Sequence, residues 1–156
     1  MAVKVFEPDE IRKAINIMKP DNELFEIRCH ESDRKIHSGY FRSADTAFEA
    51  LRALNPASGN IYITLNHIND SCYSRGQRDR FITNAKPTTS DTDIDGYEFL
   101  FVDADPRRSA GVSSSDEQVQ QAKETGNRVY AFMKNLGFNE PVSAMSGNGI
   151  HLLYRI

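Results

Sequence analysis

The chain has 156 residues, 39% hydrophobic and 26% charged, with a formal net charge of -3. This is the length of one domain with a real core, and the mild acidity excludes a global basic signal for nucleic acid, leaving room only for a local groove. The two cysteines, Cys29 and Cys72, are too far apart for a zinc knuckle or a disulfide framework and read as reduced thiols. The opening residues Met1 to Asp9 lack the apolar core of a signal peptide, and no apolar run reaches membrane-spanning length. A cytoplasmic protein with no membrane partner is the expectation.

Pro8 to Lys19 predicts a first helix. Pro8, Asp9 and Glu10 suit its first turn, Ile11, Ala14, Ile15 and Met18 form one stripe, and Pro20 stops it. Leu24 to His30 alternates as a half-buried strand, Leu24, Glu26, Arg28 and His30 against Phe25, Ile27 and Cys29. Ile36 to Arg42 is its expected partner across a turn at Glu31-Ser32-Asp33-Arg34, which would let His30 and His37 approach each other. Ser43 reads as the N-cap of a second helix, Ala44 to Leu54. A loop at Asn55 to Asn60 follows, then a dense apolar strand, Ile61 to Ile68, expected deep in the sheet.

From Asn69 to Asp95 regular patterning fails. A loop this long is uncommon in a compact domain and is often functional. Its Arg75 and Arg78, with Arg107 and Arg108 further on, are candidate contacts to nucleic-acid phosphates; a solvated loop with a short helix near Tyr73 to Arg80 explains the same residues.

Tyr97 to Val102 is an apolar run ending in Asp103-Ala104-Asp105-Pro106. In a strand Asp103 and Asp105 point to one face. Neighbouring carboxylates oppose each other's ionisation, and a hard divalent cation such as Mg²⁺ removes that conflict. An acidic turn accounts for the same residues. Ser113 to Gln118 starts a long helix through a capping box, either Ser114 with Glu117 or Ser115 with Gln118. Its apolar face is Val119, Ala122, Gly126, Val129, Met133 and Leu136, and Gly137 closes it. Pro141 to Met145 and Ile150 to Ile156 flank the glycine turn Ser146-Gly147-Asn148-Gly149 and read as antiparallel neighbours. His151, Leu153 and Arg155 share one face of the last strand. Glycine permits close backbone approach to a ligand, and His151 beside it can donate to a phosphate oxygen; a polar hairpin face is the simpler reading.

Together, the strand ending in Asp103-Ala104-Asp105, the long helix, and the hairpin Ser146-Gly147-Asn148-Gly149-Ile150-His151 resemble the archaeo-eukaryotic primase superfamily. The resemblance is to the primase-polymerase domains of its phage and plasmid branch. It runs from about Asn60 to Ile156; the first sixty residues match only as a mixed α/β lead-in. It implies an α/β (α+β) fold in one domain over 1–156: a mixed sheet with flanking helices, an N-terminal α/β module (1–68), a basic and polar loop (69–96), and the start of an RRM-like catalytic half (97–156). It implies Asp103 and Asp105 as ligands of Mg²⁺ or Mn²⁺, and His151 as the contact to the phosphates of a nucleoside triphosphate. Ser146, Gly149 and Arg155 would assist in nucleotide binding. The reaction would be template-directed nucleotidyl transfer in replication priming, with a single-stranded DNA template and a helicase domain or protein as partners.

One feature departs from the family. Its third motif, a further metal-binding aspartate on a later strand, has no counterpart after His151, so weak or absent polymerase activity is expected of this chain alone, as is an open sheet edge at the last strand. Two other readings stand beside it: a non-catalytic nucleic-acid- or partner-binding module, and an Asp-x-Asp sugar-nucleotide transferase.

Overall fold

A computed structural model describes residues 8–19, 22–31, 35–56, 60–109 and 111–156. Helices and antiparallel strands alternate along it, giving the expected α+β architecture. The described strands form three antiparallel sheets, and the chain divides into two compact units, Met1–Tyr97 and Glu98–Ile156. No described helix is long and apolar enough to cross a membrane.

In the first unit, α1 (Pro8–Met18) and α2 (Ala44–Leu54) share a core with β1 (Phe25–His30) and β2 (Ile36–Phe41). Ser43 caps α2 as expected, accepting from the Asp45 amide. Phe25, Ile27 and Cys29 enter that core together. Burial, reinforced by the charge of Glu31, pushes the Cys29 thiol up to about 12. The opposite face of β1 is not the solvated one that alternation suggested: Glu26 is fully buried. Cys29 pairs with His37 and His30 with Ile36, so the two histidines lie on opposite faces and do not meet. The expected stop at Pro20 and turn residues 32–34 lie outside the described residues.

The run Ile61 to Ile68 is not one deep strand. It divides into β3 (Asn60–Ile63), at the edge of the first sheet beside β1, and β4 (His67–Ile68), in a separate pair. The break falls at Thr64, whose amide donates to the Glu26 carbonyl while its hydroxyl accepts from the Glu26 amide. The side chain takes over the ladder's role, and the chain turns away.

The segment after β4 is held by short elements. They are a 3-10 turn at Asp70–Ser74, β5 (Phe81–Ile82), a second 3-10 turn at Asp91–Asp93, and β6 (Ile94–Gly96), which pairs with β4.

The second unit is built from β7 (Phe99–Ala104), α3 (Asp116–Asn135), β8 (Val142–Met145) and β9 (Ile150–Arg155). Of the two capping boxes the sequence allowed, Ser115 with Gln118 forms. At the other end, Gly137 has φ 88°, its amide donates to the Lys134 carbonyl, and that of Phe138 donates to Met133. This closes the helix with a left-handed residue that glycine adopts without cost. Met133, Leu152 and Tyr154 form the core with Val102, Val129 and Ile150 around them. At Gly126 α3 packs close against the sheet: a Cβ there would fall 2.5 Å from Ile150 Cγ2. Leu136, expected in the apolar face, caps the helix and points outward.

The sheet order is β7-β9-β8. The last strand therefore lies in the middle, and the expectation of an open edge at that strand is corrected. Among the described strands of this sheet the outer positions belong to β7 and β8.

Candidate functional site

Strand alternation decides which side chains of the second unit face away from α3. Val102, Ile150, Leu152 and Tyr154 go to the helix side. Their neighbours Phe101, Asp103, His151 and Leu153 take the opposite face. The antiparallel register then sets Asp103 directly opposite His151 and Phe101 opposite Leu153. Nε2 of His151 lies 3.4 Å from Oδ1 of Asp103. The Phe101 ring stands edge-on to the imidazole, centroids 5.0 Å apart and planes at 77°. His151 is thus held between a carboxylate and an aromatic ring.

Asp105 follows immediately after β7 and remains partly exposed. Nη2 of Arg108 donates to its Oδ2 at 3.3 Å, and Nη1 of the same arginine donates to the Val112 carbonyl at 3.0 Å. Arg108 therefore ties Asp105 to the segment leading into α3. Across the sheet, Gly149 approaches the same carboxylate so closely that a Cβ would fall 2.5 Å from its Oδ1 and 2.2 Å from the Ala104 carbonyl oxygen. Only a residue with no side chain permits this approach.

The turn between β8 and β9 spans four residues, with Met145 paired to Ile150. Ser146 organises it: its hydroxyl accepts from the amides of Asn148 at 3.2 Å and Gly149 at 2.9 Å. Gly147 takes the left-handed conformation, φ 86°. Oδ1 of Asn148 accepts from the Ser114 amide at 3.1 Å, tying the turn to the lead-in of α3. The amides of Asn148 and Gly149 are thus engaged within the turn, and Gly149 contributes space to the site.

The structure pairs Asp103 with His151 across the two strands and sets Gly149 against Asp105, with Ser146 as the organiser of the turn. It does not bring Arg155 to them. That residue lies four positions along β9 from His151, roughly 13 Å at strand rise. Its guanidinium pairs with Glu98 and sits 4.7 Å from the Phe99 ring centroid. Arg75 is not an open phosphate contact either. It makes a two-bonded pair with Asp93, Nη1 to Oδ2 at 2.7 Å and Nη2 to Oδ1 at 2.5 Å. Arg78 lies over the Tyr73 ring, 5.2 Å from its centroid, and is exposed. Arg107 is exposed, and its carbonyl accepts from Gln118.

Asp103 and Asp105 are the residues here that could hold a hard divalent cation. Both offer carboxylate oxygens that solvent reaches, the donor type such cations prefer, and Gly149 keeps clear the space beside Asp105 that a Cβ would fill. Sequence reading missed Phe101 and Asn148 as parts of this arrangement, and took Arg108 for a phosphate contact where it bonds Asp105 and the Val112 carbonyl. Phe101 was legible in outline, since it shares the parity of Asp103; the partners of Arg108 and Asn148 carry no spacing signal. Comparisons of the chain with protein-family models, curated proteins and solved structures return no match.

Proposed function

We propose that the second unit binds a divalent cation and the phosphates of a nucleotide, as part of a nucleotidyl-transfer site of the primase-polymerase type. The observation that carries this reading is the cross-strand pair of Asp103 and His151, with Asp105 and Gly149 beside it. Asp103 and Asp105 would hold the cation. Bound there, Mg²⁺ or Mn²⁺ would neutralise charge on phosphoryl oxygens and lower the pKa of an attacking hydroxyl.

The side chains divide the remaining work. His151 presents Nε2 on the side of Asp103, so its N–H can be donated to a phosphate oxygen next to the carboxylates. The Phe101 edge fixes the ring plane. Arg108 restrains Asp105 through its second bond to Val112. Ser146 keeps the turn closed without presenting the Asn148 and Gly149 amides to a ligand. A nucleoside triphosphate is the expected ligand, and a single-stranded template and a helicase are the expected partners of the reaction.

A second reading is a non-catalytic module of the same ancestry. It is favoured by the nitrogen groups already standing beside both carboxylates, the His151 imidazole at Asp103 and the Arg108 guanidinium at Asp105. Primer extension by the chain that is lost on Asp103→Asn would exclude it. For the leading reading, Mn²⁺-dependent binding of a nucleoside triphosphate should fall at least tenfold in Asp103→Asn and in Asp105→Asn. Titration calorimetry with Mn²⁺ present and absent measures this, and unchanged affinity in both variants would reject the proposal.

A further inference from the structure

A cavity of about 350 Å³ opens on the first unit, against the face of β1 turned away from α1 and α2. Its floor is the Glu26 carboxylate. Ser38 donates to Oε1 at 2.5 Å, and Oε2 accepts from the Thr89 amide at 3.1 Å and from Nε of Arg28 at 2.8 Å. A buried carboxylate with three donors is a fixed structural anchor. Here it also fixes Arg28, whose Nη2 donates to the Thr89 carbonyl. Arg28 is thereby pinned at two corners of its guanidinium, and its Nη1 has no partner among the described residues.

Tyr62 stands directly across the strand pair from Arg28. Its ring is half exposed and meets His30 edge-on at 5.0 Å. Both line the cavity, as does Asp91, whose carboxylate likewise has no partner among the described residues. The cavity thus offers an open aromatic face, a preset donor and an acceptor. Its charge is close to balanced, Arg28 against Glu26 with Asp91 in excess. That argues against a phosphate as the group held and for a neutral planar one.

We propose that this cavity holds a nucleobase, stacked on Tyr62 and read by Arg28 and Asp91. Unstacked bases are recognised by aromatic or guanidinium planes together with hydrogen bonds to their edges, and the volume suits a single base with its sugar. The base belongs either to a free nucleoside or nucleotide or to a single strand. All the residues involved lie between Glu26 and Asp91, so the assignment does not depend on the metal site of the second unit.

The test is amide NMR of the whole chain in EDTA, titrated with cytidine, with adenosine, and with a short single-stranded oligodeoxynucleotide. Saturable shifts are expected in residues 26–30, 62–64 and 89–91. Tyr62→Ala should weaken binding about tenfold, while Tyr62→Phe should retain it. Because Tyr62 is half exposed, neither substitution threatens the core. Saturation by a nucleoside assigns the base to a free ligand; saturation by the oligomer alone assigns it to a strand. Shifts that avoid these residues, an affinity indifferent to Tyr62→Ala, or no binding in any arm would overturn the proposal.

Discussion

At the residue scale, Gly149 is the position on which most of the candidate site depends. The atom a Cβ would meet first is a backbone oxygen, that of Ala104, which cannot swing aside as a side-chain end can. Gly149→Ala should therefore destabilise the chain by about 1–3 kcal/mol and shift the resonances of Asp105. Gly147→Ala is the control, because Gly147 has a positive φ but no atom within 4 Å of a Cβ; its cost should be about 1 kcal/mol or slightly more, from the backbone alone. Urea denaturation separates the two, and a Gly149→Ala chain as stable as the parent would show the contact to be no constraint. Strand parity was enough to read Asp103 and Asp105 onto one face; that His151 stands opposite Asp103 comes from the cross-strand register, which parity does not encode. It was not enough for Glu26. Parity assigned it to the polar side, but its burial depends on Ser38 and Thr89, which arrive from other elements and leave no trace in local spacing.

At the scale of elements, the segment from Asn69 to Asp95 looked patternless because its order is held by side chains rather than by periodic burial. Arg75 and Asp93 clamp its two ends together. The Arg75 guanidinium, followed by the amide and hydroxyl of Ser90, holds the Asp93 carboxyl well below the usual carboxylate range. A lowered folded pKa contributes stability that is complete above the unfolded value, about 3.9, and is lost as the pH falls towards the folded one. Asp93→Asn should lower stability at neutral pH, since Arg75 loses its counter-charge. The gap between variant and parent should narrow steadily below about pH 4. Thermal unfolding across pH 2–7 measures the gap, and one that stays constant would rule out the clamp as the acid-sensitive element. The break between β3 and β4 was hidden for a related reason: the hydroxyl and amide of Thr64 end the strand within an otherwise uninterrupted run of strand formers.

At the scale of the whole molecule, the two units have separate cores, one around Phe25, Phe41 and Leu51, the other around Met133, Leu152 and Tyr154. Amide exchange should follow this division. The slowest amides are expected in β1 and β2, the interior strands of the first sheet, and in β9, the interior strand of the second unit's sheet. Residues 105–109 and 111–114, which lie in no helix or strand ladder, should exchange fastest within the second unit. Protection there equal to that of β9 would contradict the account. The α+β class and nearly every long element were legible from periodicity and caps. The division into three antiparallel sheets was not, because pairing partners are chosen by packing across the chain, and spacing within one strand does not encode them.

The central place of β9 bears on how the chain is made. β1 meets its partners β2 and β3 in the order of synthesis, so the first sheet can assemble while the ribosome is still working. β7 and β8 are different: each finds its ladder only in a strand translated after both. The Asp103 carboxylate of β7 and the histidine of β9 are therefore joined in a single closing step that follows both outer strands, and until then the apolar residues of β7 and β8 lack their partner strand.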